Sequence, residues 1–464
     1  MSDISNKGSD LIYELDDNPP FHQTLLGAIT HLLAIFVPMV TPALIVGAAL
    51  QLSTETTSYL VSMAMIASGV GTWLQVNRYG HVGSGLLSIQ SVNFSFVTVM
   101  IALGSSMKSD GLHEELIMSS LLGVSFVGAF LVVGSSFILP YLRRVITPTV
   151  SGVVVLMIGL SLIKVGIIDF GGGFAAKSSG TFGNYENIGV GLLVLLVVIG
   201  FNCCRSPLLR MGGIAIGLIV GYIVSFCLGM VDFSSMRNLP LVTVPIPFKY
   251  GFEFNFHHFL VVGTIYLLSV LEAVGDITAT AMVSNRPIKG EEYQSRLRGG
   301  VLADGLVSVI ASAVGSLPLT TFAQNNGVIQ MTGVASRYVG RFIAVMLVIL
   351  GLFPGIGRFF TTIPAPVLGG AMTLMFSMIA IAGIRIIITN GLKRRETLIV
   401  ATSLGLGLGV SYDPAIFQVL PASIYVLVEN PICAGGLTAI LLNLLIPLGQ
   451  KDEKPLPHVL KELD

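Results

Sequence analysis

The chain has 464 residues, 53% of them hydrophobic and only 11% charged, and its 25 basic and 25 acidic side chains leave no net charge. A soluble domain carries about 25% charged residues and a nucleic-acid binder needs a basic face, so both classes are set aside. What remains is an all-α polytopic membrane protein, in which each span needs about 20 apolar residues.

Residues 1–23 are polar and acidic, with no basic stretch leading into a short apolar run, and read as a cytosolic tail rather than a cleaved signal. Apolar stretches then centre near residues 35, 65, 93, 126, 157, 195, 220, 266, 305, 325, 348, 376, 404 and 441, and residues 450–464 form a second cytosolic tail. Fourteen transmembrane segments put both termini on one side. Of the 25 lysines and arginines, eighteen then fall on the cytoplasmic side and six outside, with Arg385 inside a span. That asymmetry is the one the positive-inside rule requires. Cys203, Cys204, Cys227 and Cys433 lie in or beside apolar runs without metal spacing, and read as small buried hydrophobes.

The halves echo each other. TPTVSGVVVLM (147–157) aligns with APVLGGAMTLM (365–375) at a constant offset of 218 residues. These are the fifth and twelfth spans, and an odd number of spans per repeat inverts the second half, as in many transporters. The same offset in spans pairs the third with the tenth. They contain SIQSVNFSFV (88–97) and LTTFAQNNGV (319–328), and each is interrupted by polar residues. Interrupted spans at corresponding positions point to a midplane binding site.

Only three carboxylates, Glu272, Asp276 and Asp304, fall deep within expected spans. An intramembrane ionisable group is a functional-site hypothesis by default. Glu272 and Asp276 are four residues apart, so they share a helix face. His31 stands alone in an apolar run, where a core hydrogen bond and a proton-coupling role compete evenly. The chain has no phosphate-binding loop, HExxH or Cys–His cluster, so neither an ATP-driven pump nor a metal site is expected.

QNNGVIQMTG (324–333) resembles the signature of the nucleobase–ascorbate transporter family, in which Gln, Glu or Pro precedes Asn-x-Gly and a Thr follows that Gly by five residues. Glu272 with Gly275 and Asp276 resembles the family's eighth-span motif, and His31 its first-span histidine. Thr30 departs from the pattern, since many members have Gln there. The similarity runs from about residue 24 to 448.

The resemblance implies fourteen spans in a 7+7 inverted repeat, with short strands in spans three and ten. It divides the chain into a core domain (24–138 and 250–360) and a gate domain (139–235 and 361–449). It implies a substrate site of Glu272, Gln324, Asn325, Asn93 and Phe94, with His31, Asp276 and Asp304 serving proton coupling or support. Phe94 would stack on the base or offer its backbone N–H. The implied activity is proton-coupled symport of a purine nucleobase, xanthine foremost, by elevator-like alternating access. The protein would sit in the bacterial inner membrane as a homodimer, without cofactor or metal. Urate, guanine or hypoxanthine are the alternative cargoes. A uracil-type member would carry Glu where Gln324 stands. An anion exchanger or channel on a similar repeat fold is the remoter rival, and it lacks a mid-membrane cation in this sequence. A membrane-embedded enzyme would need a nucleophile or metal, and only the carboxylates offer one.

Overall fold

The computed structural model describes residues 11–139, 147–206, 209, 212–231, 242–322, 324–388, 391–417, 419–420 and 422–446. The expected tail at 450–464 lies outside them, as do residues 1–10 of the expected first tail. Unpaired backbone groups are costly in hydrocarbon, so long apolar runs close on themselves as helices.

The first half holds α1 (Phe21–Leu50), α2 (Thr54–Asn77), β1 (Gln90–Val92), a 3-10 turn (Phe94–Phe96), α3 (Val97–Ser109) and α4 (Glu114–Ile138). Then come α5 (Pro148–Phe170), α6 (Gly173–Ser179), α7 (Tyr185–Asn202) and α8 (Gly213–Cys227). The second half holds α9 (Phe256–Val283), α10 (Gly290–Val314), β2 (Leu319–Thr321), α11 (Gln324–Thr332), α12 (Arg337–Leu352) and α13 (Pro354–Thr361). It closes with α14 (Ala365–Ile388), α15 (Arg394–Tyr412), α16 (Ala422–Glu429) and α17 (Pro431–Leu445).

Among the described residues, eight helices are long and apolar enough to cross a membrane, or nine if α12 and α13, bent by 75°, form one span. The bend falls at Pro354, which cannot continue a helix hydrogen-bond ladder. The chain is therefore a helical multi-pass membrane protein. Other apolar stretches form shorter helices, among them α8 and α17.

Glycines set how closely these helices cross. A Cβ on Gly159 of α5 would lie 2.4 Å from the Ala380 backbone nitrogen of α14, and one on Gly383 of α14 2.4 Å from that of Leu156. A Cβ on Gly69 of α2 would lie 2.6 Å from the Ala344 carbonyl oxygen of α12, and one on Gly305 of α10 2.7 Å from the Val133 nitrogen of α4. In a bilayer, where apolar burial gives helices little reason to associate, such backbone contact supplies packing energy. The outward faces stay apolar: Ile188, Leu192, Leu196 and Ile199 of α7 are all exposed, as a lipid-facing stripe should be.

Two expectations need correction. Only Cys433 is buried, while Cys203 and Cys227 are exposed and Cys204 is intermediate, since Cys203 and Cys204 lie just past the end of α7 and Cys227 is the last residue of α8. Lys164, one of the six basic residues counted on the outer side, lies inside α5 with an exposed side chain, and its long stem lets the ammonium reach toward the interface.

Gly159→Leu should abolish the α5–α14 crossing, since the obstructing atom is backbone and cannot rotate away. Overpacking of this kind costs roughly 1–3 kcal/mol or more. The thermal midpoint of the detergent-purified protein should fall sharply, whereas Gly134→Ala, with nothing within 4 Å, should leave it unchanged. Equal midpoints for the two variants would contradict the crossing.

Candidate functional site

The two interrupted segments find each other. β1 and β2 pair antiparallel, with Gln90 opposite Thr321, Ser91 opposite Thr320 and Val92 opposite Leu319. The ladder extends through the Asn93 N–H to Pro318 O (2.9 Å) and the Phe322 N–H to Ile89 O (2.9 Å). Locally the reason is plain. α10 stops at Gly315, with φ +90°, and Pro318 three residues later prevents its resumption. All six strand residues are buried, so their backbone groups need protein partners, and each strand supplies the other's. Each strand then leads into a helical start, one at Phe94 and one at Gln324. Helix starts carry unsatisfied N–H groups and a positive dipole end.

Asp304 pins this junction from α10. Its Oδ1 accepts from Gln75 Nε2 (2.7 Å) and Gln90 Nε2 (2.6 Å). Its Oδ2 accepts from Thr320 Oγ1 (2.9 Å) and the Thr321 N–H (3.3 Å). Gln75 also donates to Gly300 O and accepts from the Ser84 N–H. One carboxylate thus ties α2, α10 and both strands together. Its geometry is that of a support.

Glu272, half-buried on α9, accepts a hydrogen bond from Ser95 Oγ at 2.9 Å. Asn93 caps the 3-10 turn by accepting from the Ser95 N–H (2.8 Å). That leaves its buried Nδ2 close to Glu272 but outside hydrogen-bond geometry. Asp276, one turn along α9, is close enough to Glu272 and Asp304 to feel both charges. Glu272, Asp276 and Gln324 are only half-buried, while Asn93 and Asn325 are 1% exposed. The first three therefore border space that protein does not fill.

Asn325 reaches two ways. Its Nδ2 donates to Leu87 O (2.7 Å), which turns its Oδ1 toward His31 Nδ1 at 2.8 Å. With an acceptor opposite, the ring must carry its proton on Nδ1. Thr30 meanwhile donates to Leu26 O within α1, so the histidine's partner comes from α11 and not from its neighbour. Asn326 accepts from Thr280 Oγ1 of α9 (2.7 Å). Phe94, expected to face the substrate, packs its ring edge-to-face on Phe376 of α14, with centroids 5.6 Å apart, and is 5% exposed.

The contacts link Asn93 to Glu272 through Ser95 and join His31 with Asn325, while Asp304 on α10 bonds within its own network. Ser95, Gln75 and Gln90 escaped the sequence reading, although two of them stand inside the quoted SIQSVNFSFV stretch. A further buried carboxylate, Asp169, stands in the last turn of α5 at 3% exposure and was not among the candidates. Its signal is the DFGGG that ends an apolar run. Among the described residues, no group of three or more His, Cys, Asp or Glu could hold a metal ion.

A protein-family model described as a permease family, Xan_ur_permease, matches residues 22–416. The chain is 90% identical over 459 residues to the xanthine permease XanQ of Escherichia coli, covering 99% of this chain and 98% of that protein. It is 45% identical over 442 residues to the xanthine permease XanP of the same species, covering 95% and 96%. The transmembrane domain of a cyanobacterium bicarbonate transporter, BicA, shares the fold. It superposes with a TM-score of 0.55 over 92% of this chain and 99% of that one, at 15% identity.

Asp304→Asn should loosen the junction, because an amide in place of one oxygen confronts donors with a donor. Leaving buried donors unpaired costs about 1–3 kcal/mol. Hydrogen exchange at the amides of 89–93 and 319–322 should accelerate, and the thermal midpoint should fall. Unaltered protection at those amides would remove Asp304 from this role.

Proposed function

The chain belongs to this permease family, the nucleobase–ascorbate transporters, and from that premise we propose that it imports a purine nucleobase, xanthine foremost, together with protons. The carrying observation is the Asn93–Ser95–Glu272 cluster, where a half-buried carboxylate stands beside an amide with an unused donor. A xanthine edge alternates N–H donors with C=O acceptors. Glu272 accepts from ring N–H groups, and the Asn93 and Gln324 carboxamides donate to carbonyls. Because the Phe94 ring lies against Phe376, the contact it offers a base runs through its backbone N–H at the open start of the 3-10 turn. Asn325 orients His31, and His31 with Asp276 forms the proton-handling group, while Asp304 supports both strands.

The transport cycle in this reading is elevator-like, with core (24–138, 250–360) moving against gate (139–235, 361–449) in a homodimer. Fourteen spans in two inverted sets of seven, lying in the bacterial inner membrane with both termini cytoplasmic, complete it. The name xanthine permease on relatives 90% and 45% identical favours xanthine over urate, guanine or hypoxanthine. The likeness to a bicarbonate transporter is one of fold, and a cluster of carboxylates repels an anion, so anion exchange is the weaker reading.

Cells expressing the chain should take up labelled xanthine, with competition by a purine panel ranking the cargo. Uptake should rise with an inward proton gradient, collapse with a protonophore, and need no sodium. Sodium-dependent uptake indifferent to the proton gradient would refute the coupling.

Glu272→Gln replaces an acceptor by a mixed donor and acceptor. A charged hydrogen bond is worth roughly 1.5–3 kcal/mol, so xanthine affinity should fall by about one to two decades. Parental affinity in this variant would dismiss Glu272 as a ligand.

A further inference from the structure

A cavity of about 300 Å³ lies away from the Glu272 cluster, between the end of α1, the start of α2, the α5–α6 corner and the α13–α14 corner. None of the eight residues assigned to the first site lines it. Asp169 does, at 3% exposure, held there by the glycines that end α5. Gly172 and Gly173 have φ of +115° and +77°, a left-handed region that side chains rarely adopt, and they fold α6 back across the cavity. A Cβ on Gly173 would meet Ala365 at 2.9 Å and Asp169 Oδ1 at 3.4 Å, so the carboxylate lies directly under the turn.

The rest of the lining has matching chemistry. Gln51, Thr57 and Thr361 contribute polar groups, and Phe174 and Phe360 contribute aromatic walls. Lys108 Nζ donates to Gln51 Oε1 at 3.1 Å, which leaves the amide hydrogens of Gln51 as the donors offered to a ligand. A buried carboxylate accepts an N–H, an amide donates to a carbonyl, and phenyl walls suit a flat ring. The volume stands at the lower end of ligand pockets, roughly 300–1,000 Å³, enough for a bicyclic base but small for a nucleotide.

We propose that this cavity is a second, separate binding site for a neutral purine base, in which Asp169 accepts a ring N–H. The proposal rests on the nucleobase reading above. In the orientation proposed there, the cavity is at the outer end of the bundle, where the base arrives. It takes the base before the Glu272 cluster does.

The test uses the full chain in membranes. Ala48→Cys places a thiol at an exposed position of the lining, and its labelling by a maleimide is followed as xanthine is titrated, against the parent chain with its own four cysteines. Thr361→Cys serves as a second position should the first variant fold poorly. Xanthine should slow labelling, and should still do so when Glu272→Gln disables the first site. Asp169→Asn should raise the xanthine needed for protection by about ten- to a hundredfold, the loss expected of a charged hydrogen bond. Protection abolished by Glu272→Gln, or unchanged by Asp169→Asn, overturns the second site, as does a thiol that never reacts. Xanthine uptake by the parent chain is read in parallel. Uptake without protection overturns the second site alone, and absence of uptake overturns the nucleobase reading with it.

Discussion

A backbone that leaves the helix inside a membrane protein must find its hydrogen-bond partners elsewhere in the protein. Here that constraint is met near the site by two three-residue strands whose register brings residues 90–92 against 319–321. Everything near the site depends on that pairing. It fixes where the 3-10 turn and α11 begin, and hence where two helix starts are presented. It also explains a buried aspartate with four hydrogen bonds, since side chains from α2 and both strands must be held together in a small polar volume. Such a network is favourable only when its members are satisfied.

Carboxamides do most of the joining. An amide donates and accepts at adjacent atoms, so it can bridge two backbones or a backbone and a side chain. Gln75 spans Gly300 and Ser84, and Asn325 spans Leu87 and His31. Asn93 uses its oxygen as a cap and keeps its nitrogen unpaired beside Glu272. A polar run between apolar stretches thus divides its labour. Most of its members organise the backbone, and a minority keep polar atoms unpaired.

The contrast between contacts bears on movement. Helix pairs such as α5–α14 and α2–α12 meet backbone to backbone at glycines, and cannot slide without losing that fit. Phe94 and Phe376 meet edge to face, a contact worth roughly 0.5–1.5 kcal/mol beyond its buried area. The alternating-access movement proposed above would part the chain at rings such as these and leave the glycine crossings whole.

Membrane class, the broken third and tenth apolar stretches, Glu272, Asp276, Asp304 and His31 are all legible in the sequence. Hydrophobic run length, polar interruption and intramembrane charge are local properties, and each leaves a mark on a short window of residues. The partners are not legible. Ser95 meets Glu272 across 177 residues, Gln75 meets Asp304 across 229, and His31 meets Asn325 across 294, and no window contains such pairs. The sequence leaves the Phe94 ring free to stack on a base, and α14 brings Phe376 against it. Asp169 drew no notice in the sequence, because what buries it is the glycine turn that folds the chain back over its carboxylate. Which polar groups are satisfied and which stay available is a property of packing between distant segments, so only the tertiary structure decided it.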